Sequence, residues 1–218
     1  YLAISDVSIS PSKLISIFES QVYSRHIDLK ARELKEKGEC FYTIGSSGHE
    51  SNAVFGSIFP YTDIAFLHYR SGAFYIEKSK QLYNSTPLYD MALSFTASSE
   101  DPISGGRHKV FGSKRLNIPP QTSTIASHIP KAVGAAFSID RACDLEIKER
   151  ELDKNSIVIC SFGDASVNHA TALSALNTAS LVTSQGGNRP IVSICEDNGT
   201  GICVPTENRW TEKNVLTR

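Results

Sequence analysis

An α/β fold, a parallel sheet with helices on both faces, is what this sequence predicts, and three observations predict it. Ile157 to Phe162 and Ile191 to Cys195 are short β-branched apolar runs, the composition of strands covered on both faces. Between them, Asn168 to Ser184 carries Ala172, Leu173, Ala175, Leu176, Ala179 and Val182 as a helical stripe free of Pro and Gly. Strand, helix, strand makes a βαβ unit with a right-handed crossover. Polar residues gather where the strands end: Gly163-Asp164 after the first, Asp197-Asn198 after the second. Ligands of open α/β sheets bind at that carboxyl edge.

At 218 residues, 40% apolar and 21% charged with a net charge of −1, the composition is that of a soluble globular protein able to bury a substantial core. No basic run or aromatic-plus-Arg patch argues for nucleic acid, and no apolar run is long enough to span a membrane. The five cysteines include no Cys-x-x-Cys pair, and Cys160 and Cys195 fall in the expected strands, so reduced thiols in a cytosolic protein are expected. A start at Tyr1 suggests a trimmed precursor, and a sheet of this kind needs further strands beyond Arg218. The expected organisation is one incomplete domain over residues 1–218, truncated at its C-terminal side, with residues 1–38 as a helical arm.

Ser10-Pro11 reads as an N-cap and first helical residue. Leu14, Ile17, Phe18 and Val22 mark one face of a helix that runs through Ile27 and Leu34 to a C-terminal Gly38. Ser47-Gly-His-Glu50 fits a capping box, the Ser47 hydroxyl on the Glu50 N–H and Glu50 reaching back, with a short helix through Ile58 behind it. Ile64 to Leu67 reads as a buried strand that ends in His68-Tyr69-Arg70. Arg offers a fork of donors to phosphate oxygens and Tyr one hydroxyl, although a surface ion pair fits Arg70 equally. His49 and His68, taken singly, read as ordinary helix-end and loop histidines.

Thr96 to Gln121 reads as one long loop, which in a compact domain is functional or disordered. In it Arg107-His108, beside Gly105-Gly106, either line a site entrance or are solvated. Thr122 to Phe137 opens on hydroxyls and passes into a small-residue helix that starts near Pro130 and packs closely. Asp140 to Lys154 is a charged, solvated helix end and connector.

The strand ends carry the chemistry. Asp164 and Asn198 are oxygen ligands for a hard cation, and Mg²⁺ draws only a few ligands from protein, leaving the rest to phosphate and water. Gly163 and the small Ala165 and Ser166 let backbone N–H groups at a helix start approach a phosphate. Together they imply a Mg²⁺-bridged diphosphate.

Gly163-Asp-Ala and Asp197-Asn-Gly resemble the two halves of the thiamine diphosphate fingerprint. The 31 residues between Ala165 and Asp197 exceed the usual spacer, and the surplus falls in the loop-like Ser184-Gln-Gly-Gly-Asn-Arg189, where insertion costs little. Gly48-His-Glu50, His68-Tyr-Arg-Ser-Gly72, Gly105-Gly-Arg-His108 and Ser127-His-Ile-Pro-Lys-Ala-Val-Gly-Ala-Ala136 fall in order before them. In this series the chain resembles the α-type, cofactor-binding half of the thiamine diphosphate-dependent component of 2-oxo-acid dehydrogenase complexes, of the pyruvate and branched-chain type.

The resemblance implies the thiamine diphosphate-binding fold and a set of roles. Asp164, the Asn198 side chain and the Thr200 carbonyl would ligate Mg²⁺. Tyr69 and Arg70 would hold the diphosphate, Ala165 and Ser166 would give backbone contacts beside Gly163, and Ile125 would support the aminopyrimidine. Ser127 and His128 match the place where some members bind K⁺, with His128 in place of Gln. His108 is the candidate catalytic residue here, the activating glutamate being expected on a β-type half. The implied activity is oxidative decarboxylation of a 2-oxo acid with acyl transfer to the lipoyl arm of an acyltransferase component. A dimer or heterotetramer-like assembly in a bacterial cytoplasm is expected to perform it, and residues 1–218 alone to be inactive.

Two departures bear on the site. Ala165 replaces a motif Gly, and Glu196 stands where two-subunit enzymes often carry Arg or Gln, wording that resembles bacterial chains with the α-type and β-type halves fused. A carboxylate there repels phosphate unless it points away or is neutralised. The rival readings are a transketolase-like thiamine diphosphate enzyme and a degenerate assembly module. A nicotinamide-binding Rossmann domain is disfavoured, because Phe162-Gly-Asp-Ala lacks Gly-x-Gly-x-x-Gly.

Overall fold

The computed structural model describes residues 8–41, 44–107, 110–208 and 210. Their contacts divide the chain into two units, residues 1–60 with 70–108 and residues 61–69 with 109–218. The first unit is helical. Its helix α1, Pro11–Glu36, begins as expected, with the Ser10 hydroxyl accepting the Lys13 N–H at 3.3 Å and Pro in the first turn. It ends at Gly38, whose φ of +75° suits a residue without Cβ, and there Gly38 N–H reaches the Lys35 carbonyl and Glu39 N–H that of Leu34.

The buried face of α1 differs from the apolar pattern. Ile17, Ser20, Ser24, Asp28 and Ala31 are buried, whereas Phe18 is 64% exposed. The reason lies in polar pairs across that face: Ser20 of the helix donates to Glu77 at 2.7 Å, and the helix's own Asp28 accepts the Ser47 hydroxyl at 3.1 Å. The second bond also undoes half of the expected capping box. Glu50 does reach back, accepting the Gly48 N–H at 2.8 Å, but the Ser47 hydroxyl is spent on Asp28 and the helix opens as a 3-10 turn over Glu50–Asn52.

Helix α2, Ala53–Ile58, lies against α3, Gly72–Ser79, and α4, Pro87–Phe95, completes the set. Contact of α2 with α3 is close at Gly56, where a Cβ would stand 2.5 Å from the Phe74 carbonyl oxygen. Gly56→Ala should therefore destabilise the protein by about 1–3 kcal/mol, read as a lower urea midpoint at unchanged m-value. Beyond α4 the chain is ordered by Asp101, whose carboxylate takes the N–H groups of Ile103 and Ser104 and the Ser104 hydroxyl.

The second unit holds the α/β layer. Strands β1 (Ala65–Phe66), β4 (Val158–Gly163) and β5 (Ile191–Glu196) form a parallel sheet in the order β1–β4–β5. Central β4 is buried from Val158 to Phe162; β5 is only half-buried, a correction to the expectation of a strand covered on both faces. Helix α5, Ile129–Asp144, packs on the three strands and against α6, Ala170–Ser184. The helices bury alanines (Ala132, Ala136, Ala172, Ala175, Ala179) and leave Phe137, Leu173 and Leu181 largely exposed. Small side chains let the backbones approach, so alanine does the work that leucine does in a looser core.

The stretch expected as one long loop contains an antiparallel ribbon, β2 (Phe111–Ser113) with β3 (Ile118–Gln121). Pro119 and Pro120 lie inside β3, which a two-stranded ribbon tolerates because its outer side needs no ladder donors. A second small ribbon, β6 (Thr200–Gly201) with β7 (Val204–Pro205), follows the sheet. Among the described residues no helix is long and apolar enough to cross a membrane.

Candidate functional site at the carboxyl edge of the sheet

Register brings the two polar strand ends together. Gly163 and Glu196 are partners across β4 and β5, so the chain leaves both strands at the same level. Asp164 then opens a 3-10 turn, Asp164–Ser166, against which β6 packs. The Ser166 hydroxyl closes that turn onto the Gly163 carbonyl at 2.7 Å. Trp210 donates its indole N–H to the Asp164 carbonyl at 3.1 Å. That anchor carried no sequence signal, since the two residues are far apart in the chain.

Asp164 is 1% exposed, and its Oδ2 has no hydrogen-bond partner among the described residues. Burial raises its pKa, and the neighbouring Asp197 carboxylate raises it further; the N–H groups of Ala165 and Asn198 oppose them. A buried oxygen without a donor beside a second carboxylate is a costly arrangement that a divalent cation would relieve. The donor set therefore fits Mg²⁺.

Asn198 and Thr200 are exposed, and the Asn198 Oδ1 accepts the Thr200 N–H at 3.0 Å and its hydroxyl at 3.2 Å. Asp197 Oδ1 accepts the Gly199 N–H at 3.0 Å. Tyr69 is half-buried with its ring 4.1 Å from that of His68. In the other unit, Arg70 is half-buried and donates to the Gly45 carbonyl. Ile125 is 41% exposed and precedes Ala126, a buried residue held at a φ of +59°. An L-residue in that region costs about 1–2 kcal/mol, so the turn before α5 is strained. His108 lies outside the described residues.

At the proposed K⁺ position, the hydroxyls are already engaged. Ser127 donates to the Thr124 carbonyl at 2.9 Å, and Thr122 and Thr124 share a hydrogen bond. His128, 2% exposed, has its Nε2 2.7 Å from the Ser161 carbonyl, which makes Nε2–H the donor. Burial lowers its pKa, so the ring stays neutral, and Nδ1 has no hydrogen-bond partner among the described residues. His128 thus ties the start of α5 to β4. Cys195, pushed up to about 12 by burial and then by Asp164, Asp197 and Glu196, stays a protonated thiol and not a nucleophile.

A family model described as the dehydrogenase E1 component matches residues 19–218. Among curated proteins, the chain is 25% identical over 215 residues to the mitochondrial 2-oxoisovalerate dehydrogenase subunit alpha of Mus musculus, covering 98% of this chain and 44% of that one. It is 25% identical to the corresponding mitochondrial subunit alpha 2 of Arabidopsis thaliana, covering 97% and 41%. It is 24% identical to 2-oxoisovalerate dehydrogenase subunit alpha of Bacillus subtilis (strain 168), covering 97% and 59%. The chain thus spans roughly half the length of these curated relatives.

Proposed function

The chain belongs to the dehydrogenase E1 component family, and on that premise we propose that it holds the Mg²⁺-diphosphate end of thiamine diphosphate for oxidative decarboxylation of a 2-oxo acid. The observation that carries this reading is the buried Asp164 carboxylate at the carboxyl edge of a parallel sheet, with one oxygen unpartnered among the described residues. In it, Asp164, Asn198 and the Thr200 carbonyl hold the metal, and Gly163, Ala165 and Ser166 bring backbone to the phosphates. Tyr69 and Arg70 contact the diphosphate, and Ile125 supports the aminopyrimidine. The cofactor supplies the nucleophilic carbon and the electron sink for decarboxylation, while the chain binds and orients it. Both units belong, in this reading, to one α-type domain.

The relatives' names favour 2-oxoisovalerate, a branched-chain 2-oxo acid; transfer of the acyl group to a lipoyl arm, and a β-type half that completes the site, are further parts of the proposal. Described cysteines without disulfides are in keeping with a reducing compartment such as a bacterial cytoplasm. The test is acylation of a lipoyl domain by the full-length protein, supplied with 2-oxoisovalerate or with pyruvate. Acylation that needs the lipoyl domain and runs faster with 2-oxoisovalerate is expected. Transfer to an aldose acceptor in place of the lipoyl arm would favour a transketolase-like enzyme. Residues 1–218 alone should turn over neither acid; measurable CO₂ release from the unsupplemented fragment would defeat the shared-site reading.

A further inference from the structure

His128 is an imidazole where packing alone would favour a leucine. The ring is buried, donates from Nε2 to the Ser161 carbonyl at 2.7 Å, and leaves Nδ1 with no hydrogen-bond partner among the described residues. An apolar side chain of similar volume would avoid the cost of that buried nitrogen. On one side of the ring stands Ser161, on central strand β4. Its hydroxyl accepts the N–H of His68, whose Nδ1 stands 3.7 Å from Glu196 Oε2. On the other side is the turn that leads into α5. There Ala126 is buried at a φ of +59°, and its carbonyl accepts the Ile129 N–H at 3.2 Å. Such a backbone persists only where its surroundings hold it. His128, just after the turn, joins it to the sheet.

We propose that His128 is a positioning residue: its bond to Ser161 holds the 125–127 turn so that Ile125 meets the ring end of the bound cofactor, a task done here without a monovalent cation. The inference rests on the cofactor reading above, which puts Ile125 at the aminopyrimidine. The residues of the turn do not fit K⁺. That ion is held by oxygens that replace its hydration shell. Here the side chain in the place of an amide is an imidazole, and a ring nitrogen that carries a proton donates and does not ligate. Imidazole nitrogens suit transition metals instead. The oxygens nearby are cross-linked among themselves: Ser127 donates to the Thr124 carbonyl at 2.9 Å, and the Thr122 and Thr124 hydroxyls are 3.2 Å apart. Released from β4, the strained turn relaxes and carries Ile125 with it. Residues 163–166, which face the phosphates in the same reading, follow directly from β4 and keep their place.

The experiment is calorimetric titration of full-length wild type, His128→Leu and His128→Gln with Mg²⁺-thiamine diphosphate and with Mg²⁺ plus inorganic diphosphate, which lacks the rings. His128→Leu should weaken thiamine diphosphate about 3- to 10-fold, the range of one hydrogen bond between neutral groups, and shift inorganic diphosphate by less than about 2-fold. His128→Gln keeps an N–H for the Ser161 carbonyl and should restore the preference for thiamine diphosphate. A purely structural role would lower the unfolding temperature and weaken both ligands alike, and that result, or an unchanged preference in His128→Leu, overturns the positioning role. If His128→Leu does not fold, His128→Asn, an amide too short for the Ser161 carbonyl, takes its place with the same expectation. Wild type should bind thiamine diphosphate equally in potassium and in tetramethylammonium chloride. A potassium requirement overturns the claim that His128 acts without the ion. A wild type that binds thiamine diphosphate no more tightly than inorganic diphosphate, or binds neither, sinks the cofactor reading and this inference with it. A wild type that prefers thiamine diphosphate, beside a His128→Leu with the same preference, sinks the inference alone.

Discussion

Asp164→Asn should act in opposite directions on the cofactor-free and cofactor-loaded protein. Without metal, the wild-type carboxylate is buried, lacks a donor at Oδ2 among the described residues and faces Asp197, and its raised pKa records that penalty. A carboxyl with a raised folded pKa contributes stability below its unfolded pKa and loses it as pH rises through the folded one. At neutral pH the ionised form is therefore a liability, and an amide that donates to Asp197 removes it. With EDTA present, the variant should unfold at a higher temperature than wild type, the gap closing as pH falls toward the ordinary carboxylate range. With Mg²⁺ and thiamine diphosphate at one hundred times Kd, wild type should gain about 2.7 kcal/mol by mass action. The variant should gain almost nothing. Loss of even an outer-shell partner costs 10–100-fold in metal affinity, so loss of a direct ligand should exceed ~100-fold. Scanning calorimetry in the two buffers reads both signs at once. A variant stabilised by cofactor as strongly as wild type would remove Asp164 from the metal site.

Glu77→Ala should be the most damaging single change in the helical unit. The carboxylate is 2% exposed on a helix with all eight residues buried. It collects Lys13 at 3.1 Å, Lys80 at 3.3 Å and the Ser20 hydroxyl at 2.7 Å. Burial pushes its pKa up, yet the bonds from Ser20 and Lys13 and the charge of Lys80 outweigh burial, and the net shift is downward. Breaking such a pair costs about 3–5 kcal/mol when the stranded charge stays buried. Both lysines are partly exposed and regain water, so about 2–3 kcal/mol is expected by urea unfolding. The sign with pH follows from the lowered pKa. Glu77 stabilises the fold above its unfolded pKa, and that contribution is lost as pH falls through the folded one. The difference between wild type and Glu77→Gln should accordingly be full at neutral pH and shrink below about pH 4. A difference that persists unchanged at pH 3 would mean that shape, not charge, makes Glu77 matter.

Much of the architecture was legible because it depends on near neighbours in the chain. Ser10-Pro11 and Gly38 bound α1, and Pro130 starts α5, because caps and fixed φ angles act within a turn. The βαβ unit was legible from two apolar runs with an uninterrupted helical stripe between them. The ribbon of β2 and β3 was not. Its strands are short, and Pro119-Pro120 reads as a breaker unless the strand is known to lie at an edge. Helix α3 was equally hidden: a helix buried all round, with Glu77 and Lys78 inside, shows no amphipathic period to detect.

The site divides in the same way. Gly163, Asp164 and Asn198 announce oxygen ligands at strand ends, because residue type and strand direction suffice to place them on the sheet's binding edge. The Asp164–Asp197 pair, the Trp210 anchor and the approach of His68 to Glu196 depend on register and on which side chains are absent between them. By itself, then, the sequence determined the strands, the caps and the chemistry available at the carboxyl edge. Tertiary structure decided which face of α1 is buried, that alanines line the α5–α6 contact, and which carboxylates share an environment. The physical reason is range: propensity and capping act between residues a few positions apart, whereas burial and charge pairing are fixed by groups that only folding brings within a few ångströms.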